Sequence, residues 1–301
     1  MKKIFAITAA ILLLLSFTAC GNMGDSEIDP PKTVNGSETG NTNSTTSTVS
    51  PNKAETPTIT ETVLVDEQGV KITAKSLKDD SLFGPEIKLL IENNSGKDLT
   101  FQARNSSVNG YMISTMMSVD VADGKKANDA MTFSNSELEA CGIDTIADME
   151  FSFHIFTTED WDTYLDTSVI QLKTSAAETY EYTYDDSGDI AYEKNEVKIV
   201  VKGLQDDSIL GPGIVVYIEN TGNKNITVQA RTVSINGFMV DPLFSSDVLA
   251  GKRCVDSITF LSSDLEENEI TEIETVELSF HIFNSENWNT IADTDTVTIT
   301  F

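Results

Sequence analysis

Phe151-Ser152-Phe153-His154-Ile155-Phe156 returns 127 residues later as Leu278-Ser279-Phe280-His281-Ile282-Phe283. In the first stretch Phe151, Phe153 and Ile155 share one face. Ser152 and His154 share the other, and the second stretch repeats the arrangement. Period two is the signature of a half-buried strand, because successive side chains leave a pleated backbone on opposite sides. Outward from this strand, Val70–Thr174 aligns with Val197–Phe301 without a gap, and about 47 of roughly 105 positions are identical. Asp79-Asp80-Ser81 matches Asp206-Asp207-Ser208, Gln102-Ala103-Arg104 matches Gln229-Ala230-Arg231, and Trp161 matches Trp288. The period is too long for a solenoid and has the size of a domain.

Other segments carry the same alternation. Ile87, Leu89 and Ile91 interleave with Lys88, Leu90 and Glu92, and Ile214, Val216 and Ile218 occupy the matching places. Gly84-Pro85, Ser95-Gly96, Asn109-Gly110 and Asp123-Gly124 supply turns between them. Extra hairpin strands are expected at Val63–Val65 and Ile190–Tyr192. Ser136–Glu139 and Ser263–Glu266 have capping-box spacing, which predicts one short helical turn per repeat. Many short strands with little helix predict an all-β protein built of antiparallel β-sandwiches. The expected limits are 58–174 for the first sandwich, 175–186 for an acidic connector carrying Tyr180, Tyr182 and Tyr184, and 187–301 for the second.

The N-terminus reads as an address. Lys2 and Lys3 precede an uncharged apolar run, Ile4–Leu15, which is short for a membrane span of ~20 residues and fits a secretory signal. Ser16-Phe17-Thr18-Ala19-Cys20 resembles a bacterial lipobox, with Phe17 where leucine is usual. That resemblance implies cleavage of residues 1–19 and lipidation of Cys20. Residues 20–57 then form a tether of Ser, Thr, Asn, Gly and Pro that buries too little apolar surface to order itself. The chain carries 48 acids against 20 bases, a formal charge of −28. That excess excludes nucleic acid as a partner, since phosphates need Lys and Arg.

The paired Asp-Asp-Ser, Gly-Pro, Ile-Glu-Asn, Gln-Ala-Arg, Asn-Gly and Ser-Phe-His-Ile-Phe motifs resemble repeats of uncharacterised secreted and cell-envelope lipoproteins of Gram-positive bacteria. Those are similar to the immunoglobulin-like domain of a secreted mycobacterial antigen. The resemblance covers residues 58 to the C-terminus and implies two tandem immunoglobulin-like sandwiches on the outer face of the cytoplasmic membrane. It implies no activity and no catalytic residues.

The candidate site residues are few. His154 and His281 lie beside Ser152 and Ser279 on a polar strand face, without the sharp nucleophile turn and positioned acid of a hydrolase. A structural imidazole bonded to a neighbouring strand is the favoured reading. Arg104 and Arg231 are expected in cross-strand pairs with carboxylates, or as a clamp for a ligand carboxylate. Trp161 and Trp288 follow acidic loops and serve either as lids over the sandwich end or as carbohydrate-stacking platforms. Asp79, Asp80, Asp206 and Asp207 are hard oxygen ligands suited to Ca²⁺, though no Asp-x-Asp-x-Asp-Gly loop contains them. Cys141 and Cys254 are not equivalent positions, so the repeated fold carries no disulfide. The apolar runs Met112–Met117 and Met239–Phe244 are either edge strands of the core or a protein-binding patch.

With no catalytic constellation and no cofactor expected, the sequence favours a non-enzymatic binding, adhesion or envelope-scaffold protein. Its partners would be the membrane, through the lipid anchor, and a cell-wall, host-surface or protein ligand. A small-ligand or Ca²⁺ receptor is the alternative, and a hydrolase centred on His154 or His281 is third.

Overall fold

A computed structural model describes residues 56–79, 81–206 and 209–301. The signal peptide, Cys20 and nearly all of the expected tether lie outside these residues, as do Asp80 and Asp207. In the first repeat the elements are β1 (Thr62–Glu67), β2 (Val70–Lys78), β3 (Glu86–Asn93), β4 (Leu99–Val108), β5 (Tyr111–Met112), β6 (Thr115–Met116), β7 (Ser118–Val121), β8 (Lys125–Phe133), α1 (Asn135–Ala140), β9 (Asp148–Thr157), β10 (Thr163–Asp166) and β11 (Ile170–Lys173). The second repeat follows with β12 (Asp189–Lys194), β13 (Val197–Gln205), β14 (Gly213–Asn220), β15 (Ile226–Ile235), β16 (Phe238–Met239), β17 (Ser245–Val248), β18 (Arg253–Thr259), α2 (Ser262–Glu267), β19 (Thr275–Asn284), β20 (Thr290–Asp293) and β21 (Val297–Thr300).

The protein is all-β, and the alternation in the sequence sets its layers. One sheet runs β1-β2-β3-β8-β6. A long middle sheet runs β10-β9-β4-β5-β18-β14-β13-β12, with β11 on β9 and β7 on β4. A third runs β16-β15-β19-β20, with β17 on β15 and β21 on β19. Ile87, Leu89 and Ile91 of β3 face Phe101, Phe151, Phe153 and Ile155 of β4 and β9 across one core. Ile214, Val216 and Ile218 of β14 share a second core with Val228, Leu278, Phe280 and Ile282. Each fully buried ring or branched side chain contributes about 1.5–3 kcal/mol, so these alternating positions dominate stability.

The repeat extends to irregular features. Each long strand pair β4–β9 and β15–β19 shifts register at one place, after Arg104 and after Arg231. The residue there, Asn105 or Thr232, has positive φ, which marks a bulge. Asn109 and Asn236 sit in left-handed turns and fasten a neighbouring loop. Each amide donates to a carbonyl, of Thr145 or Glu272, at 2.8 Å. The helical turns are capped two residues earlier than the capping-box spacing predicts. Ser134, not Ser136, accepts from the Glu137 N–H in α1. In α2 the cap position holds Leu261, which offers no side-chain acceptor.

The middle sheet crosses from one repeat to the other at a single parallel pair, Tyr111 with Arg253, where the Arg253 N–H donates to the Gly110 carbonyl at 3.0 Å. Around this joint the connector tyrosines pack rather than hang free. Tyr184 meets Tyr111 edge-on at 5.5 Å and lies under the Arg253 guanidinium at 3.7 Å. Tyr182 donates its hydroxyl to the Asp148 carboxylate. Arg253 also donates to Glu219 at 2.5 Å, and Lys252 pairs with Glu150 of the first repeat at 2.7 Å. Val200 and Tyr217 from the second repeat belong to the first core, and Met112 packs against the second.

Burial at this joint pushes the Tyr111 hydroxyl up to about 12 and raises those of Tyr184 and Tyr217 as well. Unfolded phenols ionise near 10. A folded phenol that stays neutral above that value adds stability that is complete below pH ~10 and lost as pH rises towards about 12. Chemical denaturation as a function of pH should therefore show stability falling steeply above pH ~10, after a shallower decline from pH ~9 as the unfolded thiols of Cys141 and Cys254, both raised in the fold, ionise. Tyr111→Phe, which removes one of these ionisations, should make the fall shallower.

Candidate functional site

The strand with the Phe-His-Ile-Phe motif, β9 in the first repeat and β19 in the second, also builds the most unusual surface of each. Antiparallel pairing sets His154 of β9 opposite Asp166 of β10, and His281 opposite Asp293. Each imidazole Nδ1 meets the aspartate Oδ1 at 2.5 Å. A carboxylate accepts from Nδ1–H, so the neutral ring keeps its proton there and leaves Nε2 as an acceptor. The imidazole is thus bonded to the neighbouring strand, and the acid that sequence reasoning did not find is present. Its position depends on hairpin register twelve residues downstream, a signal carried only by the matched Asp166 and Asp293. Among the described residues neither imidazole hydrogen-bonds to a serine, threonine or cysteine. The Ser152 hydroxyl is instead engaged by the Arg104 carbonyl and the Asn105 amide, each at 3.4 Å.

Beside each imidazole lies a three-ring stack. Phe156 is tilted against His154 at 5.2 Å, and Trp161 stacks on Phe156 at 5.6 Å and 18°. In the second repeat Phe283 meets His281 at 5.1 Å, and Trp288 stacks on Phe283 at 5.4 Å and 16°. Phe156 and Phe283 share the strand face of the histidines and would be exposed without this cover; they are only 5% and 4% exposed. Both tryptophans remain 74% exposed. One indole face therefore closes over phenylalanine while the other meets solvent, so the lid and the platform are two faces of one ring.

The backbone under each tryptophan is strained. Trp161 and Trp288 both have φ of 62°, a left-handed conformation that is a true outlier for a bulky residue and costs about 1–3 kcal/mol. A short hairpin loop over-determines it. The Trp161 N–H donates to the Thr157 carbonyl and that of Trp288 to the Asn284 carbonyl. The Asn284 side chain additionally accepts from the Glu286 and Asn287 N–H groups. Glu159, Asp160 and Asp162 flank the first tryptophan in the chain; Glu286, Asn287 and Asn289 flank the second. Carboxylates and amides around a flat apolar face are the groups that hydrogen-bond sugar hydroxyls while a ring stacks.

The other candidates are arranged differently from the expectation. Neither arginine pairs with a carboxylate among the described residues. Arg231 donates to Gln229 two positions away on its own strand at 2.5 Å, and the exposed Arg104 lines a groove. The reason is register: their cross-strand partners in β9 and β19 are Ser152 and Ser279, which carry no charge. That groove, about 460 Å³, lies between the repeats and is walled by Arg104, Asn105, Glu137, Ser246, Asp247 and Asp256. Asp79 lines a separate pocket of about 200 Å³ with Glu139 and Asp144. Among the described residues no three acidic, histidine or cysteine side chains converge closely enough to hold a metal ion. Cys141 and Cys254 are free thiols, and burial pushes each up to about 12, which makes them poor nucleophiles. No helix among the described residues is long and apolar enough to cross a membrane.

No protein-family model matches the chain, and no curated protein matches it. Among solved structures it aligns with the CupB2 chaperone of Pseudomonas aeruginosa at 11% identity and a TM-score of 0.19, covering 72% of this chain and 92% of that one. It aligns with red sea bream transglutaminase at 9% identity and a TM-score of 0.19, covering 71% of this chain and 28% of the enzyme.

The strained tryptophan makes a distinctive prediction. Trp161→Ala removes the cover from Phe156 and keeps a Cβ in the left-handed region. Trp161→Gly removes the same cover but relieves the backbone, because glycine adopts positive φ at no steric cost. In urea denaturation, Trp161→Gly should be about 1 kcal/mol more stable than Trp161→Ala. Equal stabilities would show that the loop stores no strain.

Proposed function

We propose that the chain is a non-enzymatic binding protein of the bacterial cell envelope that presents two tryptophan platforms to a cell-wall glycan. The observation that carries this reading is the duplicated exposed indole, held out at the same strained backbone angle in both repeats. A lid alone needs neither the strain nor an open outer face, and the loop spends about 1–3 kcal/mol on each. The rings supply apolar stacking area, and the acids and amides beside them suit hydroxyl groups. Two platforms fixed on one body permit bivalent engagement, which raises avidity 10²–10⁴-fold where the ligand repeats along a strand. Lipidation at Cys20 would place both platforms on the outer face of the cytoplasmic membrane, within reach of the wall. The high negative charge fits low non-specific adhesion there.

A small-ligand receptor is the second reading, favoured by the groove of about 460 Å³ that Arg104 lines without an ion-pair partner among the described residues. The guanidinium suits a ligand carboxylate, and Glu137, Asp247 and Asp256 on the same walls suit a cationic amino group on that ligand.

Binding of the full chain to purified cell-wall glycan separates the two. Trp161→Ala and Trp288→Ala should each weaken binding about 10²-fold or more, and the double variant should lose it. Arg104→Ala should leave glycan affinity unchanged. Retained affinity in the double tryptophan variant would overturn the platform reading.

A further inference from the structure

The joint between the repeats has a socket and a plug, and each recurs at the opposite free end of the protein. On the plug side, the Gly110 carbonyl, Tyr111, Met112 and Glu150 of the first repeat meet the second. On the socket side, Lys252 and Arg253 receive them. The repeat offset of 127 maps the plug onto Gly237, Phe238, Met239 and Glu277, and the socket onto Lys125 and Lys126. Four of these six counterparts are identical, and the other two are Phe for Tyr and Lys for Arg.

The counterparts are uncovered. Tyr111 is 3% exposed at the joint, whereas Phe238 is 49% exposed and Met239 64%. Among the described residues β16, which carries them, pairs only with β15, while its counterpart β5 pairs with both β4 and β18. On the socket side the fold already repeats the internal arrangement. Lys126 pairs with Glu92 as Arg253 pairs with Glu219. The edge of β8 at Lys125 and Lys126 carries no strand among the described residues. Lysine on an edge strand ordinarily blunts pairing. Here the counterpart of Lys125, Lys252, is only 14% exposed and lies against Glu150, so the same residue serves as a contact once a partner is docked.

We propose that a second copy of this chain docks its first repeat on the free end of the second repeat, using the same contacts as the internal joint. Lys125 of the incoming copy pairs with Glu277, its Lys126 N–H donates to the Gly237 carbonyl, and its β8 edge covers Phe238 and Met239. The contact is heterologous, joining two different patches, so it propagates head to tail into a ring or an open filament rather than stopping at a two-fold dimer. It is weaker than the internal joint for a stated reason. The connector tyrosine under Arg253, Tyr184, corresponds to Pro57, and Tyr217 corresponds to Leu90. Net charge of −28 per chain adds repulsion that salt screens.

Sedimentation equilibrium of the full chain tests this, at physiological ionic strength and from about 1 µM to 1 mM, the range of weak contacts. The weight-average mass should at least double across that range. Met239→Asp, at an exposed position, should hold the protein at the mass of one chain. Lys125→Glu alone and Glu277→Lys alone should do the same. The chain carrying both reversals should associate again, and so should an equimolar mixture of the two single variants, since in each case every contact regains opposite charges. Circular dichroism melts matching the native protein confirm that the variants fold. A native mass that stays constant with concentration, or association unaffected by these changes, would overturn the proposal.

Discussion

One partly buried cation organises this molecule. Arg253 sits at the only pairing that carries the middle sheet from one repeat to the other, with its N–H on the Gly110 carbonyl, its guanidinium over Tyr184 and its terminal nitrogen on Glu219. Taking a guanidinium out of water costs several kcal/mol unless charge and hydrogen bonds replace the lost solvent. Glu219 and the tyrosine face do most of that, while the buried Nε has no hydrogen-bond partner. The arrangement is therefore sensitive to its surroundings. The first repeat supplies the Gly110 carbonyl to the Arg253 N–H and sets Tyr111 against the Tyr184 ring that carries the guanidinium, which ties the position of one repeat to the other. Both belong to a single compact unit, Ala54–Phe301.

That constraint fixes what the surface can present. The histidine–phenylalanine–tryptophan stacks lie on strands of the middle and third sheets, so their separation is set by the joint and not by a linker. Each stack combines a buried phenylalanine with an exposed, strained tryptophan, and the two geometries agree within 0.2 Å and 2°. Glycine, the residue best suited to φ near 60°, stands elsewhere in the repeats, at Gly69, Gly124 and Gly251 for example, but not here. Keeping an indole in its place costs energy in both copies, a cost for which the proposed platform role would account.

How much of this was legible depended on how local the signal was. The alternation of Ile87, Leu89 and Ile91 announces its strand because amphipathicity is written in neighbouring residues, and all three are buried. The all-β class followed from such segments. Features that depend on register were not legible. The Asp166 partner of His154 is twelve residues away and meets it only because β10 folds back on β9. Arg104 and Arg231 were expected to find carboxylates, but the strand register sets serines opposite them. The fate of the Met112 and Met239 segments was least legible of all. They are alike in sequence, and only the tertiary joint makes one an internal contact and the other a free surface.

Amide hydrogen exchange in dilute protein tests the central claim most directly, by comparing Arg253 with its repeat counterpart Lys126. The two amides occupy equivalent positions on equivalent strands, and their N–H groups point off the same edge. At Arg253 that edge is closed by Gly110, whereas at Lys126 it carries no strand among the described residues. The account predicts that the Arg253 amide exchanges orders of magnitude more slowly than the Lys126 amide, at the rate of core residues such as Ile218. Equal and rapid exchange at both positions would mean that the repeats are not joined through this pairing, and would contradict the account.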